Sequence, residues 1–339
     1  MYKRVELSAF GKPEVLKIVT EERLPEPAAG QVRVKVLSAG TGFTDTIIRQ
    51  GQYTGVKDKP PFTLGYDWFG VVDKLGPEVR DFEVGQYVAD MPVIGGYTQY
   101  LCVDANQLVA APPGLDPGEA VCMILSYTTA YQMLTREIDL QKGQSCLVHA
   151  AGGAVGCALL ELGRLFGLKM IGTGSQAKKA VIEGFGAQFI DYRNENVSTR
   201  VAELSPGGVD IVFDTIGGQS WTRSYRSLRK GGHLVAFGVL HYTTGDATTP
   251  QVLWGFAKLF ALWRLLPDGK KTSFYNIQTR RQRHPADFKE DLAALFKLLA
   301  DGKLHPAVAE RASLDDVVNI HRRLDSGDIA GKVVLDCTL

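Results

Sequence analysis

The chain has 339 residues, of which 45% are hydrophobic, and this is enough apolar sequence for more than one ordinary domain. Its 38 Lys and Arg nearly balance its 37 Asp and Glu, so the total charge gives no broad positive field to attract nucleic acid or anionic lipid. The five cysteines are scattered without a C-x-x-C pair, and they indicate neither a disulfide framework nor a structural zinc knuckle.

Short β-type runs separated by Gly and Pro fill the first part of the chain. The start, MYKRVELSAF, enters such a run directly and lacks the apolar core of a secretory signal, which predicts a cytoplasmic location. Runs such as VRVKVLSAG, WFGVVDKLG and YTQYLCVD follow. We predict a mostly antiparallel, barrel-like domain over residues 1–120.

The pattern then changes to alternating apolar strands and helices, from CLVHA through GCALLELGRLFG to HLVAFG. This βαβ rhythm predicts an α/β domain with a doubly wound parallel sheet over residues 121–280. The tail, 281–339, adds helices and a last strand, and we expect it to return to the first domain. The β-rich run at 273–277, SFYNI, is a candidate edge strand for pairing with a second copy.

A strongly apolar segment, VLWGFAKLFALWRLL, covers residues 252–266. It is shorter than the ~20 residues of a membrane span and contains Lys258 and Arg264. The segment therefore predicts no membrane span. A helix that packs on the fold or covers a pocket is the favoured interpretation, and an interfacial membrane anchor is the alternative.

A small-residue turn follows the strand CLVHA and begins an apolar helix. Ala151, Gly153 and Gly156 form the A-x-G-x-x-G variant of the dinucleotide fingerprint. Small residues let the backbone approach a pyrophosphate, whose charge then lies at the helix N-terminus. The turn could also serve only to pack helix on strand, but its place at the start of a βαβ series favours a cofactor site.

The residues after the next strand, KMIGTG, indicate which dinucleotide is bound. Sites that select NAD place Asp or Glu there to accept the ribose hydroxyls, whereas this chain has Gly174, Ser175 and Gln176. Lys179 and Tyr192 supply donors suited to a 2′-phosphate. These residues predict NADPH, while Lys178 is interpreted as part of a solvated helix face.

Ordered motifs along the whole chain resemble those of the medium-chain dehydrogenase/reductases, in the zinc-independent quinone oxidoreductase branch that includes zeta-crystallin-like and VAT-1-like proteins. The resemblance implies a GroES-like β-barrel catalytic domain, a Rossmann domain that binds NADPH, and a homodimer. The motifs are GFTDTIIRQGQY (42–53), PPFTLGYDWFGVVDKLG (60–76), YTTAYQML (127–134), VHAAGGAVG (148–156), IDYR (190–193) and GKVVL (331–335).

The family pattern carries over to individual positions. It implies that Thr129 and Gly238 lie near the nicotinamide, that Ala151, Gly153 and Gly156 hold the pyrophosphate, and that Ser175, Lys179 and Tyr192 take the 2′-phosphate. The zinc ligands of related alcohol dehydrogenases match Gly42, Tyr66 and Asp67, which cannot rebuild a Cys/His site, so no metal is expected. Quinone reductases usually carry Asn where this chain has Gly42, and the substrate can differ accordingly.

The expected reaction is hydride reduction of a small, apolar, electrophilic substrate, a quinone or an α,β-unsaturated carbonyl compound. Tyr53 matches a tyrosine of related enoyl reductases and could supply the proton. Equally, Tyr53 could be only an amphipathic residue in the wall of the cleft, and solvent would then protonate the product. Phe43, Tyr66 and Trp68 are candidates for aromatic substrate contacts or for the core. Reduction of enoyl thioesters, or NADPH binding with little turnover, are the competing functions.

Overall fold

The computed structural model describes all 339 residues, and the chain divides into two compact units. The first unit comprises Met1–Thr128 and Ala286–Leu339, and the second comprises Thr129–Pro285. The second unit is thus inserted between two parts of the first. The catalytic and NADP-binding roles assigned from the sequence to 1–120, 121–280 and 281–339 stay predictions.

Sixteen strands occur along the chain. They are β1 (Tyr2–Leu7), β2 (Leu16–Glu21), β3 (Gln31–Gly40), β4 (Phe62–Thr63), β5 (Asp67–Leu75), β6 (Tyr87–Asp90), β7 (Tyr100–Asp104), β8 (Val109–Ala110), β9 (Ser145–Val148), β10 (Lys169–Gly174), β11 (Gln188–Asp191), β12 (Val209–Asp214), β13 (Leu228–Ala236), β14 (Lys271–Phe274), β15 (Val308–Ser313) and β16 (Lys332–Asp336).

Twelve α-helices accompany them, and a π-helical turn at Met123–Tyr127 connects the second and third. They are α1 (Phe43–Arg49), α2 (Pro117–Cys122), α3 (Thr128–Thr135), α4 (Ala154–Leu165), α5 (Lys179–Gly184), α6 (Val197–Leu204), α7 (Gln219–Ser227), α8 (Leu240–Thr243), α9 (Thr249–Phe260), α10 (Ile277–Arg283), α11 (Pro285–Ala300) and α12 (Val317–Ser326). No helix is both long enough and apolar enough to cross a membrane.

The first unit contains a three-stranded sheet, β2-β1-β4, and a seven-stranded sheet. The larger sheet has the order β15-β16-β3-β5-β6-β8, with β7 paired to β3, and every pair except β15–β16 is antiparallel. Val32, Val34 and Val36 of β3 are fully buried, while Arg33 and Lys35 point to the other face, as the alternation in VRVKV predicts. The predicted mostly antiparallel character of this domain is confirmed.

The second unit contains a six-stranded, entirely parallel sheet in the order β11-β10-β9-β12-β13-β14. The sequence order reverses on either side of β9, which is the topology of the doubly wound Rossmann fold and confirms the predicted class. In such sheets, ligands bind beyond the carboxyl ends of the strands at the reversal point. The residues that follow β9, β10 and β12 therefore define the edge where a cofactor is expected.

The apolar segment at 252–266 forms most of α9 and a short 3₁₀ turn, Leu262–Leu265. Leu259 and Trp263 are buried against the second unit's core, as the packed-helix interpretation predicts. The strand predicted at 273–277 instead ends at Phe274, because Asn276 caps α10 through its side chain. This strand, β14, does lie at the edge of the sheet.

Candidate functional site

The turn between β9 and α4 leaves its backbone open to a ligand. Gly153 is the N-cap of α4, and no side chain accepts a hydrogen bond from the first turn of this helix. A Cβ at Gly153 would meet only the Ala150 carbonyl, at 3.4 Å. The free N–H groups at the helix start therefore face no steric obstacle from a side chain, as anion binding requires.

Gly156 has a different role in the same turn. A Cβ there would lie 2.5 Å from the Ala150 oxygen and 2.6 Å from the Ala151 Cα, so only glycine lets the helix approach the turn this closely. Ala151 is buried, and its N–H donates to Thr173 O at 2.9 Å, which ties the turn to β10. The three fingerprint residues thus form one fixed turn.

The residues expected to take a 2′-phosphate meet at the ends of β10 and β11. Gly174 pairs with Asp191 in the parallel register, so Ser175 and Tyr192 follow side by side, and Tyr192 N–H donates to Gly174 O at 3.2 Å. Tyr192 is 51% exposed. The Lys179 ammonium lies 3.8 Å from Glu183 and 6.0 Å from the Phe189 ring centre.

No carboxylate competes for a phosphate directly after β10, where Ser175 stands. Asp191, at the end of β11, is buried, and its oxygens accept from Arg193 N–H at 3.0 Å and from the Asn194 amide at 2.8 Å. This part of the site is therefore rich in donors, as NADPH requires.

Lys178 corrects one interpretation from the sequence. It was expected on a solvated helix face, but a Cβ on Gly152 would lie only 2.7 Å from its side-chain carbons. The stem of Lys178 therefore packs directly on the dinucleotide turn. Sequence spacing gave no signal for this contact, because the two residues are joined only by the pairing of β9 with β10.

Thr129 provides a buried polar atom without a partner. Its side chain is only 6% exposed, and its hydroxyl makes no hydrogen bond within the protein. A buried hydroxyl without a partner is costly unless a ligand completes it, so this residue fits an amide-bearing group such as nicotinamide. Gly238 lies directly against Thr215, and any side chain there would overlap the Thr215 hydroxyl.

A polar network that the sequence did not reveal lies at the same edge of the sheet. His149 Nδ1 is 3.1 Å from Thr173 Oγ1, and its Nε2 is 3.1 Å from Ser224 Oγ. Ser224 donates to Asp214 at 2.6 Å. Burial lowers the pKa of His149, so the ring is neutral. His149 is therefore a core histidine with both ring nitrogens in contact with hydroxyl groups.

Tyr53 and Tyr66, in the first unit, share a hydrogen bond between their hydroxyls at 2.7 Å. Their rings meet edge to face, with centres 6.0 Å apart. Burial raises the pKa of both phenols, so both carry their protons at neutral pH. Tyr53 is half-buried, and Tyr66 orients its hydroxyl.

Two of the three aromatic residues expected at the substrate lie in the core instead. Trp68 is 0% exposed and Tyr66 is 1% exposed, so neither ring offers surface to a substrate. Both lie near the start of β5, where the chain enters the larger sheet of the first unit. Phe43, the first residue of α1, is half-buried and keeps part of its ring accessible.

Asp67, one of the three positions that match zinc ligands, belongs to an ion pair. The Asp67 carboxylate lies 3.0 Å from the Lys332 ammonium, and both side chains are buried. Asp67 also accepts from Leu125 N–H at 3.3 Å. No group of three or more His, Cys, Asp or Glu side chains is arranged to hold a metal ion. These residues do not fit a zinc ion. That the protein works without zinc stays a prediction, made from the side-chain types at these positions.

Two family models match the chain. Residues 28–113 match the alcohol dehydrogenase GroES-like domain, and residues 185–335 match the family described as zinc-binding dehydrogenase. Among curated relatives, the quinone oxidoreductase of Pseudomonas aeruginosa is 31% identical and is covered over 99% of both chains. The synaptic vesicle membrane protein VAT-1 homolog of Danio rerio is 29% identical over 98% of this chain and 70% of its own length.

Solved structures give the same result. The Escherichia coli quinone oxidoreductase complexed with NADPH superposes with a TM-score of 0.84 at 27% identity, covering 98% of this chain and 99% of that one. The quinone oxidoreductase of Pseudomonas syringae pv. Tomato superposes with a TM-score of 0.83 at 27% identity, covering 99% and 100%. The chain therefore belongs to the quinone oxidoreductase and VAT-1-like branch of the medium-chain dehydrogenase/reductases, a family of NAD(P)H-dependent oxidoreductases.

Proposed function

We propose that this protein is a zinc-independent, NADPH-dependent reductase of quinones or α,β-unsaturated carbonyl compounds. The observation that carries the proposal is the Tyr53–Tyr66 hydroxyl pair, which supports Tyr53 as a proton donor in a unit where Asp67, at one zinc-ligand position, is paired with Lys332. Oxidising a simple alcohol calls for a Lewis acid, whereas a conjugated carbonyl compound is already electrophilic. Reduction of such compounds is the chemistry that suits these residues.

NADPH would be held by the second unit. The first turn of α4, with Ala151, Gly153 and Gly156, suits the pyrophosphate, and the free Thr129 hydroxyl suits the carboxamide, with Gly238 also proposed at the nicotinamide end. Ser175, Lys179 and Tyr192 suit the 2′-phosphate. When bound, this cofactor supplies the hydride.

The chain's own contribution to the reduction is a positioned proton. The Tyr53 hydroxyl can donate to the reduced substrate or hydrogen-bond its carbonyl oxygen, and the contact with Tyr66 fixes its direction. The raised pKa of Tyr53 keeps the proton available at neutral pH. The accessible part of Phe43 offers apolar surface for the substrate.

A homodimer completes the proposal. Strand β14 pairs only with β13, so its other edge offers unpaired backbone groups to a second copy. The relatives' branch and this edge both support pairing of two chains through the second unit. Light scattering at micromolar concentration should give twice the mass of the 37.0 kDa chain, and a monomeric mass would contradict the dimer.

Cofactor choice is tested by titrating NADPH and NADH separately. NADPH should bind more tightly, and Lys179→Ala should narrow the gap because one cation facing the 2′-phosphate is lost. Lys169→Ala, at an exposed lysine at the other end of β10, is the matched control and should change neither affinity. Equal affinities in the wild type would contradict the proposed selectivity.

The reaction is tested on a panel of quinones, enones, enoyl thioesters and small alcohols. The first two classes should be reduced with NADPH, and oxidation of alcohols should be negligible. Tyr53→Phe should lower enone turnover by roughly 100-fold, the low end for a positioned acid, without changing NADPH affinity. Tyr66→Phe should produce a smaller loss of enone turnover, because the Tyr53 hydroxyl remains but its orientation is no longer held by a hydrogen bond.

The outcomes of this panel separate the rival functions. Preferred turnover of thioesters would make the protein an enoyl-thioester reductase, and NADPH binding without turnover would favour a protein that acts through interactions. If the Tyr53→Phe variant reduces enones as fast as the wild type, the proton comes from solvent.

A further inference from the structure

The helical segment that contains the motif YTTAYQML is interrupted by a π-helical turn. Helix α2 ends at Cys122, the π-helical turn covers Met123–Tyr127, and α3 begins at Thr128. Turns of this kind are rare and are frequent at functional sites when they do occur. This one ends directly before Thr128 and Thr129, and Thr129 is the residue proposed to bind the nicotinamide carboxamide.

Thr128 closes the π-helical turn with two hydrogen bonds to one carbonyl group. Its N–H donates to Met123 O, which is the i→i−5 pairing of a π-helix, and its hydroxyl donates to the same oxygen at 2.9 Å. In an α-helix, a threonine hydroxyl reaches the carbonyl three or four residues back. Both residues are fully buried. The Thr128 hydroxyl therefore stabilises the π-helical form of this turn rather than the α-helical form.

Thr135, farther along α3, makes the ordinary contact of an α-helix. Its hydroxyl donates to Tyr131 O, four residues back, at 2.8 Å, and its side chain is exposed. Thr128 and Thr135 thus share residue type and helix but stabilise different helical forms. Thr135 is therefore the matched control for Thr128.

The middle of the π-helical turn is held by a buried ion pair. Leu125 N–H donates to the Asp67 carboxylate at 3.3 Å, and the same carboxylate lies 3.0 Å from the Lys332 ammonium. Asp67 is the first residue of β5, and Lys332 is the first residue of β16. The turn is therefore fixed to two strands at its middle and closed by Thr128 at its end.

The π-helical turn determines the direction of the Thr129 side chain. Each residue of an α-helix rotates the chain by about 100°, so one inserted residue turns every later side chain by roughly that angle about the helix axis. Thr129 directly follows Thr128, and its buried hydroxyl makes no hydrogen bond within the protein. If the turn relaxed to an α-helix, this hydroxyl would point to another side of the helix.

We propose that Thr128 is a positioning residue for the cofactor, because its hydroxyl holds the π-helical turn that orients the Thr129 hydroxyl toward the nicotinamide carboxamide. The inference rests on the proposed function, which places the nicotinamide at Thr129. Thr128 is fully buried and its hydroxyl is engaged by Met123 O, so it acts through Thr129 and not by direct contact. Molecules with a relaxed turn bind NADPH poorly, and the apparent affinity falls with their fraction.

The test is titration with NADPH and, separately, with adenosine 2′,5′-bisphosphate, which carries the 2′-phosphate but no nicotinamide. Thr128→Val removes the hydroxyl with little change of shape. It should weaken NADPH binding at least ~5-fold, the effect of losing about one buried hydrogen bond, and leave bisphosphate affinity unchanged. Thr128→Ser keeps a hydroxyl and should bind NADPH as the wild type does. Thr135→Val should change neither affinity.

A double-variant cycle separates positioning from general damage. Thr129→Val alone should weaken NADPH binding, and adding Thr128→Val should cause no further loss, because the turn then orients no hydroxyl. Additive losses in the double variant would overturn the proposal. Equal weakening of NADPH and bisphosphate binding by Thr128→Val would overturn it as well. Thermal unfolding shows that each variant is folded.

All of these measurements are binding affinities, so the inference is tested whether or not the protein reduces the expected substrates. A wild type that binds no NADPH would overturn the cofactor proposal and this inference with it. Additive losses in a protein that does bind NADPH would overturn this inference alone.

Discussion

Two buried carboxylates, Asp67 in the first unit and Asp214 in the second, are stabilised in different ways. In the first unit, the buried Asp67 pairs with the buried Lys332 ammonium at 3.0 Å. In the second unit, the fully buried Asp214 accepts from neutral donors: the Ser220 and Ser224 hydroxyls and the Ile216 N–H, at 2.8, 2.6 and 2.7 Å.

The difference predicts unequal sensitivity to mutation. In a buried ion pair, a single opposite charge offsets the cost of burying each ion, so removing one partner leaves the other charge buried without an opposite charge. A carboxylate held by several hydroxyl and backbone donors loses only part of its stabilisation when one donor is removed.

The largest effect is expected for Lys332→Met. The variant leaves Asp67 buried without its cation, close to the buried Asp45, and should lower the free energy of unfolding by about 3–5 kcal/mol. Urea denaturation measures the change. Lys3→Met is the matched control, because Lys3 and Asp315 form an exposed pair at 2.7 Å that should contribute at most about 1 kcal/mol. Equal losses in both variants would contradict a special role for burial.

A smaller loss is expected for Ser224→Ala in the second unit. Asp214 keeps its other donors, but His149 Nε2 loses its contact, so the free energy of unfolding should fall by about 2 kcal/mol. Ser227→Ala, on the same helix, removes only an exposed hydrogen bond to Arg223 O and should change stability by less than about 0.5 kcal/mol. A loss as large as that of Lys332→Met would remove the contrast between the units.

The smallest effect concerns the pH dependence of the first unit. Burial, reinforced by the neighbouring Asp67, raises the pKa of Asp45 to about 8 from an ordinary value of 3.8. The folded state therefore holds a proton that the unfolded state has released, and stability falls as pH rises toward 8. Between pH of about 6.5 and 7.5 the expected fall is about 1 kcal/mol.

Asp45→Asn should abolish this slope, because the amide oxygen can still accept from Gly42 N–H, as Asp45 does at 2.9 Å. Unfolding curves at several pH values measure the difference between the two proteins. His321 has the opposite sign, since burial lowers its pKa to about 3, and its contribution is confined to lower pH. Parallel slopes in the two proteins near neutral pH would show that Asp45 is already ionised.

Local patterns predicted most of the fold correctly. Short β-type runs such as VRVKVLSAG predicted the antiparallel sheet of the first unit, and the apolar runs at β9, β10 and β12 predicted the parallel sheet. The same reasoning failed at Tyr66 and Trp68, where an aromatic residue near a predicted ligand-binding motif could equally lie in the core. Exposure depends on neighbours that are distant in sequence, and local patterns do not contain it.

The sequence by itself determined the fold class, the dinucleotide turn and the loss of the zinc ligands, because each depends on side-chain type and spacing within a short segment. Only the tertiary structure decided which groups are paired. Lys332 meets Asp67 from 265 residues away, and Gly40 must lack a side chain for both to fit. Tyr53 finds Tyr66, and Lys178 covers Gly152, through folding that no local pattern encodes. Pairing, burial and the pKa shifts that follow from them are properties of contacts, and contacts between distant segments form only when the chain folds.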